Sequence, residues 1–201
     1  MNVLIVGKTQ MGARYCIGGL DAAGHGLRLL DAAGGHAQLN TPFNVGDWWD
    51  LTWVPASQLI APHVEDVLVQ PGAIARGTQA NPGAWIRQHA AIWAGPPQAI
   101  LDGAVQRTGN SRGYIDSSNI PPMSTGFWVP DAELTHGQDH RNRSFYRYWH
   151  GNQLLDLPYV GTQPLVAVIP VGALVRVSLA RWWSPDPNFA SRCYLQLSGW
   201  F

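Results

Sequence analysis

Glycine and proline break this chain every few residues, with 22 Gly and 15 Pro among 201 residues. Such punctuation excludes long helices and heptad arrays and leaves short strands joined by turns. Between the breaks the apolar residues keep a period of two, the mark of a half-buried strand. In DWWDLTWV (47–54), Trp49, Leu51 and Trp53 fall on one face, with Trp48, Asp50 and Thr52 on the other. VLIVG (3–7) is a short apolar run, and ARYCIGGL, DAAGHG and LRLLD read as a hairpin bent at Gly24 and Gly26. Pro55 stops the strand at 47–54, and HVEDVLVQ (63–70) adds another before Pro71-Gly72.

One helix is predicted in the middle. Asn81 suits the N-cap and Pro82 the first helical position. Trp85, His89, Ile92 and Trp93 then form one apolar stripe, ended by Gly95-Pro96-Pro97. On that stripe His89 reads as a packing residue. A short helical turn over QAILDGAV (98–105) precedes a second run of strands: GFWVP, RSFYRYW, the turn His150-Gly151-Asn152, QLLDLPYV, LVAVIPVGALVRVSLARWW and RCYLQLSGWF. Val175, Val177 and Leu179 share a face, while Arg176 and Ser178 point outward. The expected fold is mainly β: two consecutive small barrels, residues 1–79 and 105–201, joined by a helical connector at 80–104.

Composition narrows the function. Hydrophobic residues make up 46% of the chain and charged residues 13%, with thirteen basic against thirteen acidic side chains. A neutral chain does not coat nucleic acid or an anionic membrane by bulk charge. Ten Trp exclude a charge-rich disordered chain. No apolar run reaches 18 residues, so no helical membrane span is expected. MNVLIVGKTQ lacks a basic leader and reads as a first strand. Cys16 and Cys193 are too few for a disulfide framework. They read as buried free thiols, or as a pair if the first and last strands are neighbours, and the expected location is cytoplasmic.

Enzyme signatures fail. Gly7-Lys8-Thr9 lacks the earlier glycine of a phosphate-binding loop, and no H-E-x-x-H or G-x-S-x-G occurs. Asp47/Asp50 and Glu65/Asp66 carry no sign of converging on a substrate. His136, Asp139 and His140 form the one candidate metal cluster, weakened by Gly137 and the lack of a fourth ligand. No cofactor and no catalytic role are expected.

Binding fits better. Single-stranded nucleic acid is held by cations on its phosphates and rings on its bases. HRNRSFYRYWH (140–150) interleaves the two, offering Arg141, Arg143, Arg147, Tyr146, Tyr148 and Trp149. Because an Arg is hard to bury unpaired, the Phe145/Arg147/Trp149 face is expected outside. Arg181 and Trp182, with Trp183, form a second candidate, and Lys8, Arg14 and Arg28 a third. Twelve Arg against one Lys suits planar recognition, although a GC-rich coding sequence yields the same bias.

VLIVGKTQMGARYCIGGLDAAGHGLRLLD, with Gly12, Arg14, Cys16, Gly19 and Arg28, resembles the opening of the dual OB-containing domain family. FYRYWHGNQLLDLPYV resembles that family's aromatic-basic hairpin and RCYLQLSGWF its closing strand. The resemblance implies two OB-like barrels and a prokaryotic defence setting. It also implies a further strand beyond the closing Gly-x-Phe segment, so the second barrel either closes differently or leaves an edge open. The expected function is a non-catalytic accessory subunit that binds single-stranded DNA or RNA. The alternatives are a subunit that docks a larger protein partner through Trp/Arg surface or a strand edge, and a sensor of a nucleotide or small molecule between the barrels.

Overall fold

The structure is a computed structural model and describes residues 1–186 and 188–201. The first eight strands are β1 (Asn2–Met11), β2 (Arg14–Asp21), β3 (Gly26–Leu30), β4 (Ala37–Gln38), β5 (Asp47–Asp50), β6 (Trp53–Pro55), β7 (Asp66–Val69) and β8 (Ile74–Thr78). They form one sheet in the order β6-β7-β3-β2-β1-β5-β8, with β4 on β2. The predicted strand at 47–54 bends in its middle. Its first half pairs with β1 and its second half with β7, so the sheet curls into a ring. The β3–β7 pairing is parallel, while the pairs β1–β2 and β2–β3 are antiparallel. Val3, Ile5, Ile17, Leu27, Leu29, Trp49, Leu51 and Val67 fill the ring.

Helix α1 (Pro82–His89) starts where the sequence places it, Asn81 Oδ1 accepting a hydrogen bond from the Ala84 amide at 2.9 Å. It ends sooner than expected, because Ala90 turns extended and Ile92–Gly95 becomes β9. The stripe from Trp85 through Trp93 is therefore not one helical face. Trp85 stacks on the exposed His89 ring at 4.0 Å, and Ile86 is the buried residue. A 3₁₀ segment (Pro97–Gly103) follows.

The remaining strands are β10 (Gln106–Arg107), β11 (Gly113–Ile115), β12 (Thr125–Pro130), β13 (Leu134–Gln138), β14 (Ser144–His150), β15 (Gln153–Pro158), β16 (Val168–Ile169), β17 (Val175–Leu179) and β18 (Cys193–Trp200). Their order is β10-β11-β18-β17-β12-β9 in one sheet and β15-β14-β13-β16 in another. The two sheets curl towards each other. At one side β12 runs on through a short turn into β13, and at the other a parallel Tyr159–Leu197 bridge links the end of β15 to β18. Strand β18 thus closes this ring. Trp128, Tyr146, Tyr148, Leu155, Leu157, Val175, Val177 and Leu197 pack inside it.

The barrels share a third apolar cluster. Strand β1 is buried on both faces, with Val3 and Ile5 in its own barrel and Leu4 and Val6 against Leu20, Ile86, Phe127 and Leu174. The outer face of β17 meets the first barrel in the same way. Arg176, expected outward to solvent, is 6% exposed, since the outside of one barrel is here the inside of the molecule.

Candidate functional site

Strand β14 sets one wall of the second barrel. Tyr146 and Tyr148 point inward and are 0% exposed, while Phe145, Arg147 and Trp149 take the outer face. This corrects Tyr146 and Tyr148 as base-stacking candidates. Their hydroxyls have internal partners: Tyr146 donates to the Val166 carbonyl at 3.1 Å, and Tyr148 to Asp131 at 2.8 Å. Burial first, and then the Asp131 carboxylate, push the Tyr148 phenol up to about 12. Trp149, by contrast, is 73% exposed.

The loop before β14 is held by a single carboxylate. Asp139 accepts hydrogen bonds from the Arg141 amide (2.9 Å), the Arg143 amide (3.0 Å) and Arg143 Nε (2.9 Å). Those donors, the Arg143 amide foremost, hold its carboxyl well below the usual range. Asp139 is therefore not available as a metal ligand. His136 Nε2 lies 3.1 Å from Ser144 Oγ, and no three His, Cys, Asp or Glu converge among the described residues. The metal candidate is corrected accordingly. Arg141 makes no ion pair among the described residues and stands exposed at the loop.

The rest of the site grows from this loop and strand. Arg147 grips Asp156, its partner across β14–β15, through Nε (2.8 Å) and Nη2 (2.9 Å). The guanidiniums of Arg147 and Arg112 sit over the Phe145 ring, at 5.2 and 5.7 Å. The facing wall comes from the β17–β18 connection and β18 itself. Trp183, 55% exposed, contacts the Tyr194 ring at 6.1 Å. Tyr194 lies 6.3 Å from Tyr114, over which the Arg192 guanidinium is placed at 4.1 Å. Between the walls runs an open groove of about 720 Å³ lined by Arg112, Arg141, Arg143, Arg147, Trp183 and Tyr194, together with Asp139 and Asp156. Four guanidiniums against two carboxylates leave it positive. Both carboxylates are already bound to guanidiniums, so neither stands free as a general base.

The other candidates lie elsewhere. Arg181 Nη2 donates to Asp66 at 2.8 Å and Trp182 Nε1 to the Ala61 carbonyl at 2.7 Å, so both face the first barrel rather than the groove. Arg28 is 9% exposed and pairs with Asp66, which removes it from any outer surface. Lys8 Nζ donates to the Phe43 carbonyl at 2.8 Å and lies over the Tyr15 ring. Arg14 donates to the His36 carbonyl at 2.9 Å. These two belong to the first barrel's own surface. The sequence reading missed Arg112, Tyr114, Arg192 and Tyr194. For Arg192 and Tyr194 a signal existed: with Cys193 and Leu195 facing inward, alternation turns both outward. Arg112 precedes and Tyr114 lies within the three-residue β11, too short to carry a period.

Compared with known proteins, the chain matches the family model of the dual OB-containing domain over residues 1–200. No curated protein matches it. Among solved structures it is similar to one described as a murine DNA binding protein bound with ds DNA. That match has 10% identity and a TM-score of 0.32 and covers 100% of this chain and 95% of that one. A second, described as "Structural mimicry for functional antagonism", shares 11% identity at a TM-score of 0.35, covering 100% and 90%. Both superpositions are loose, and the family assignment stands on the family model alone.

Proposed function

Because the chain belongs to the dual OB-containing domain family, we propose that it is a non-catalytic protein binding single-stranded DNA or RNA along the groove of its second barrel. OB barrels engage oligonucleotides with the face of their second and third strands and the loops between strands one and two and between strands four and five. In the second barrel the matching strands are β14 and β15, and the matching loops are residues 139–143, before β14, and the described residues between β17 and β18, Trp183 among them. The observation that carries the reading is that both loops and the strand face contribute to one groove, which is lined by the exposed Trp183 and by Arg141, without an ion pair among the described residues. A role as accessory subunit of a prokaryotic defence or nucleic-acid-processing system belongs to the same proposal.

Fluorescence anisotropy with labelled single-stranded oligonucleotides tests it. Trp183→Ala and Trp149→Ala should each weaken binding by about 5- to 100-fold, the worth of one stacked base. Arg141→Ala should lower affinity and flatten its salt dependence. Absence of binding at low salt, or affinity unchanged in all three variants, overturns the proposal. A second reading, docking of a protein strand, is favoured by β8: all five of its residues are exposed and it ends its sheet beside β5, so it offers an open edge on the first barrel.

A further inference from the structure

The junction between the barrels holds more positive charge than it neutralises. Arg176, from β17, inserts its guanidinium beside Gly7 and Gly18, which face each other across β1–β2. It donates to Ser198 Oγ at 2.8 Å and has no carboxylate in ion-pair contact among the described residues. Glu65, whose charge acts on Arg176, is occupied by the Ser124 amide and hydroxyl and the Thr125 amide. Arg28 pairs through Nε with Asp66, and its Nη2 has no hydrogen-bond partner among the described residues. Asp66 is shared with Arg181. Arg28 and Arg181 thus share the Asp66 carboxylate, while Arg176 meets no carboxylate in ion-pair contact among the described residues, which leaves buried positive charge that an anion would offset.

These three side chains line a single cavity of about 170 Å³, with Ser178, Cys16 and Gln196 beside them and the exposed Gln10 and Met11 at its edge. That volume is well below the roughly 300–1,000 Å³ of sites that enclose drug-sized ligands. It suits one tetrahedral oxyanion, and guanidinium forks match a phosphoryl group in charge and geometry. We propose that the interbarrel cavity binds one phosphate group, held by Arg28 of the first barrel and by Arg176 and Arg181 of the second. The group is either inorganic phosphate or the 5′-terminal phosphate of a bound strand. Since its ligands come from both barrels, the phosphate ties the two together. The site is separate from the groove and uses none of its aromatic residues.

Thermal unfolding with inorganic phosphate, against chloride at matched ionic strength and pH, is the test, with binding of 5′-phosphorylated and 5′-hydroxyl oligonucleotides as its second arm. Phosphate should raise Tm in step with the logarithm of its concentration. Arg181→Gln keeps the Arg28–Asp66 pair and so should fold, yet should require about tenfold more phosphate for the same shift. Arg176→Gln should act in the same direction. If inorganic phosphate has no effect but the 5′-phosphorylated strand binds more tightly than the 5′-hydroxyl strand, in the wild type and not in Arg181→Gln, the strand terminus is the ligand. Trp183→Ala should leave the phosphate titration unmoved, which separates this site from the groove. The proposal is overturned if chloride reproduces the shift and the 5′-phosphate gives no advantage, or if Arg181→Gln titrates like wild type.

Discussion

The Arg176 socket makes a sharp prediction, because the two glycines beside it leave no room for a methyl group. A Cβ on Gly18 would stand 2.5 Å from Arg176 Nη2 and 2.9 Å from Cζ, and one on Gly7 2.8 Å from Nη1. The backbone at Gly18 is not left-handed, so alanine meets no conformational barrier there. Its smaller unfolded-state entropy would by itself stabilise the fold by about 0.4–1 kcal/mol. Overlap must win over that gain. The guanidinium is enclosed, so the methyl either displaces it from Ser198 or parts the barrels. Overpacking costs about 1–3 kcal/mol, and loss of a hydrogen bond from a charged donor adds about 1.5–3 kcal/mol. We expect Gly18→Ala to destabilise by about 1.5–5.5 kcal/mol net, lowering Tm by roughly 3–20 °C for a chain of this size.

Urea and thermal unfolding measure this directly, with Gly109→Ala as control, because a Cβ at Gly109 has nothing within 4 Å. The decisive measurement is the double-mutant cycle. In an Arg176→Ala background the methyl finds space, so Gly18→Ala should cost under about 1 kcal/mol, a coupling well above the scatter of independent sites. Additive effects of the two substitutions, or a Gly18→Ala variant as stable as wild type, would refute the socket.

Two further outcomes follow from the same junction. His63 is 0% exposed, and burial first, then the charges of Arg28 and Arg181, lower its pKa to about 4. The fold therefore refuses a proton that the unfolded chain accepts. Its contribution is complete above about pH 6.5 and lost as pH falls towards 4, about 3 kcal/mol in all. The stability difference between wild type and His63→Gln should shrink by about that much between pH 7 and pH 4 in urea titrations, and a pH-independent difference would count against it. Burial works to raise the Asp66 pKa, but the hydrogen bonds and charges of Arg28 and Arg181 outweigh it and lower it. Asp66→Asn, which leaves Arg28 buried without a counter-charge, should cost about 3–5 kcal/mol in the same assay; a loss below 1 kcal/mol would show the pair to be dispensable.

Local pattern carried the barrels into view. Alternation in DWWDLTWV placed Trp49 and Leu51 in the core, and Asn81-Pro82 marked the start of α1. What alternation cannot tell is what lies on the far side of a strand. It turned Arg176 outward correctly with respect to its own barrel, and only the packing of one barrel on the other makes that position interior. Arg28 misled for the same reason: an Arg in an apolar strand reads as surface until Asp66, 38 residues away, arrives beside it. The helix stripe beyond His89 failed because Ile92–Gly95 gains more by pairing with β12 than by continuing α1. In HRNRSFYRYWH the Arg147 face does lie outward, but Arg147 is paired with Asp156 and Phe145 beneath it is buried, so of that face's rings only Trp149 stands exposed.

The exposed tryptophans bear on how a neutral chain would hold the proposed strand. The groove's surplus of about two positive charges gives a salt slope of about −1.4 for a single strand, so raising salt fourfold weakens binding only about sevenfold. That is roughly 1 kcal/mol. Two exposed tryptophans, Trp149 and Trp183, supply about 2–6 kcal/mol if each stacks on one base. Stacking on that scale would exceed the loss that a fourfold rise in salt brings. The chain's low charge content is then compatible with the proposed strand binding, in which the groove's guanidiniums would meet the phosphates and the exposed indoles would provide most of the affinity.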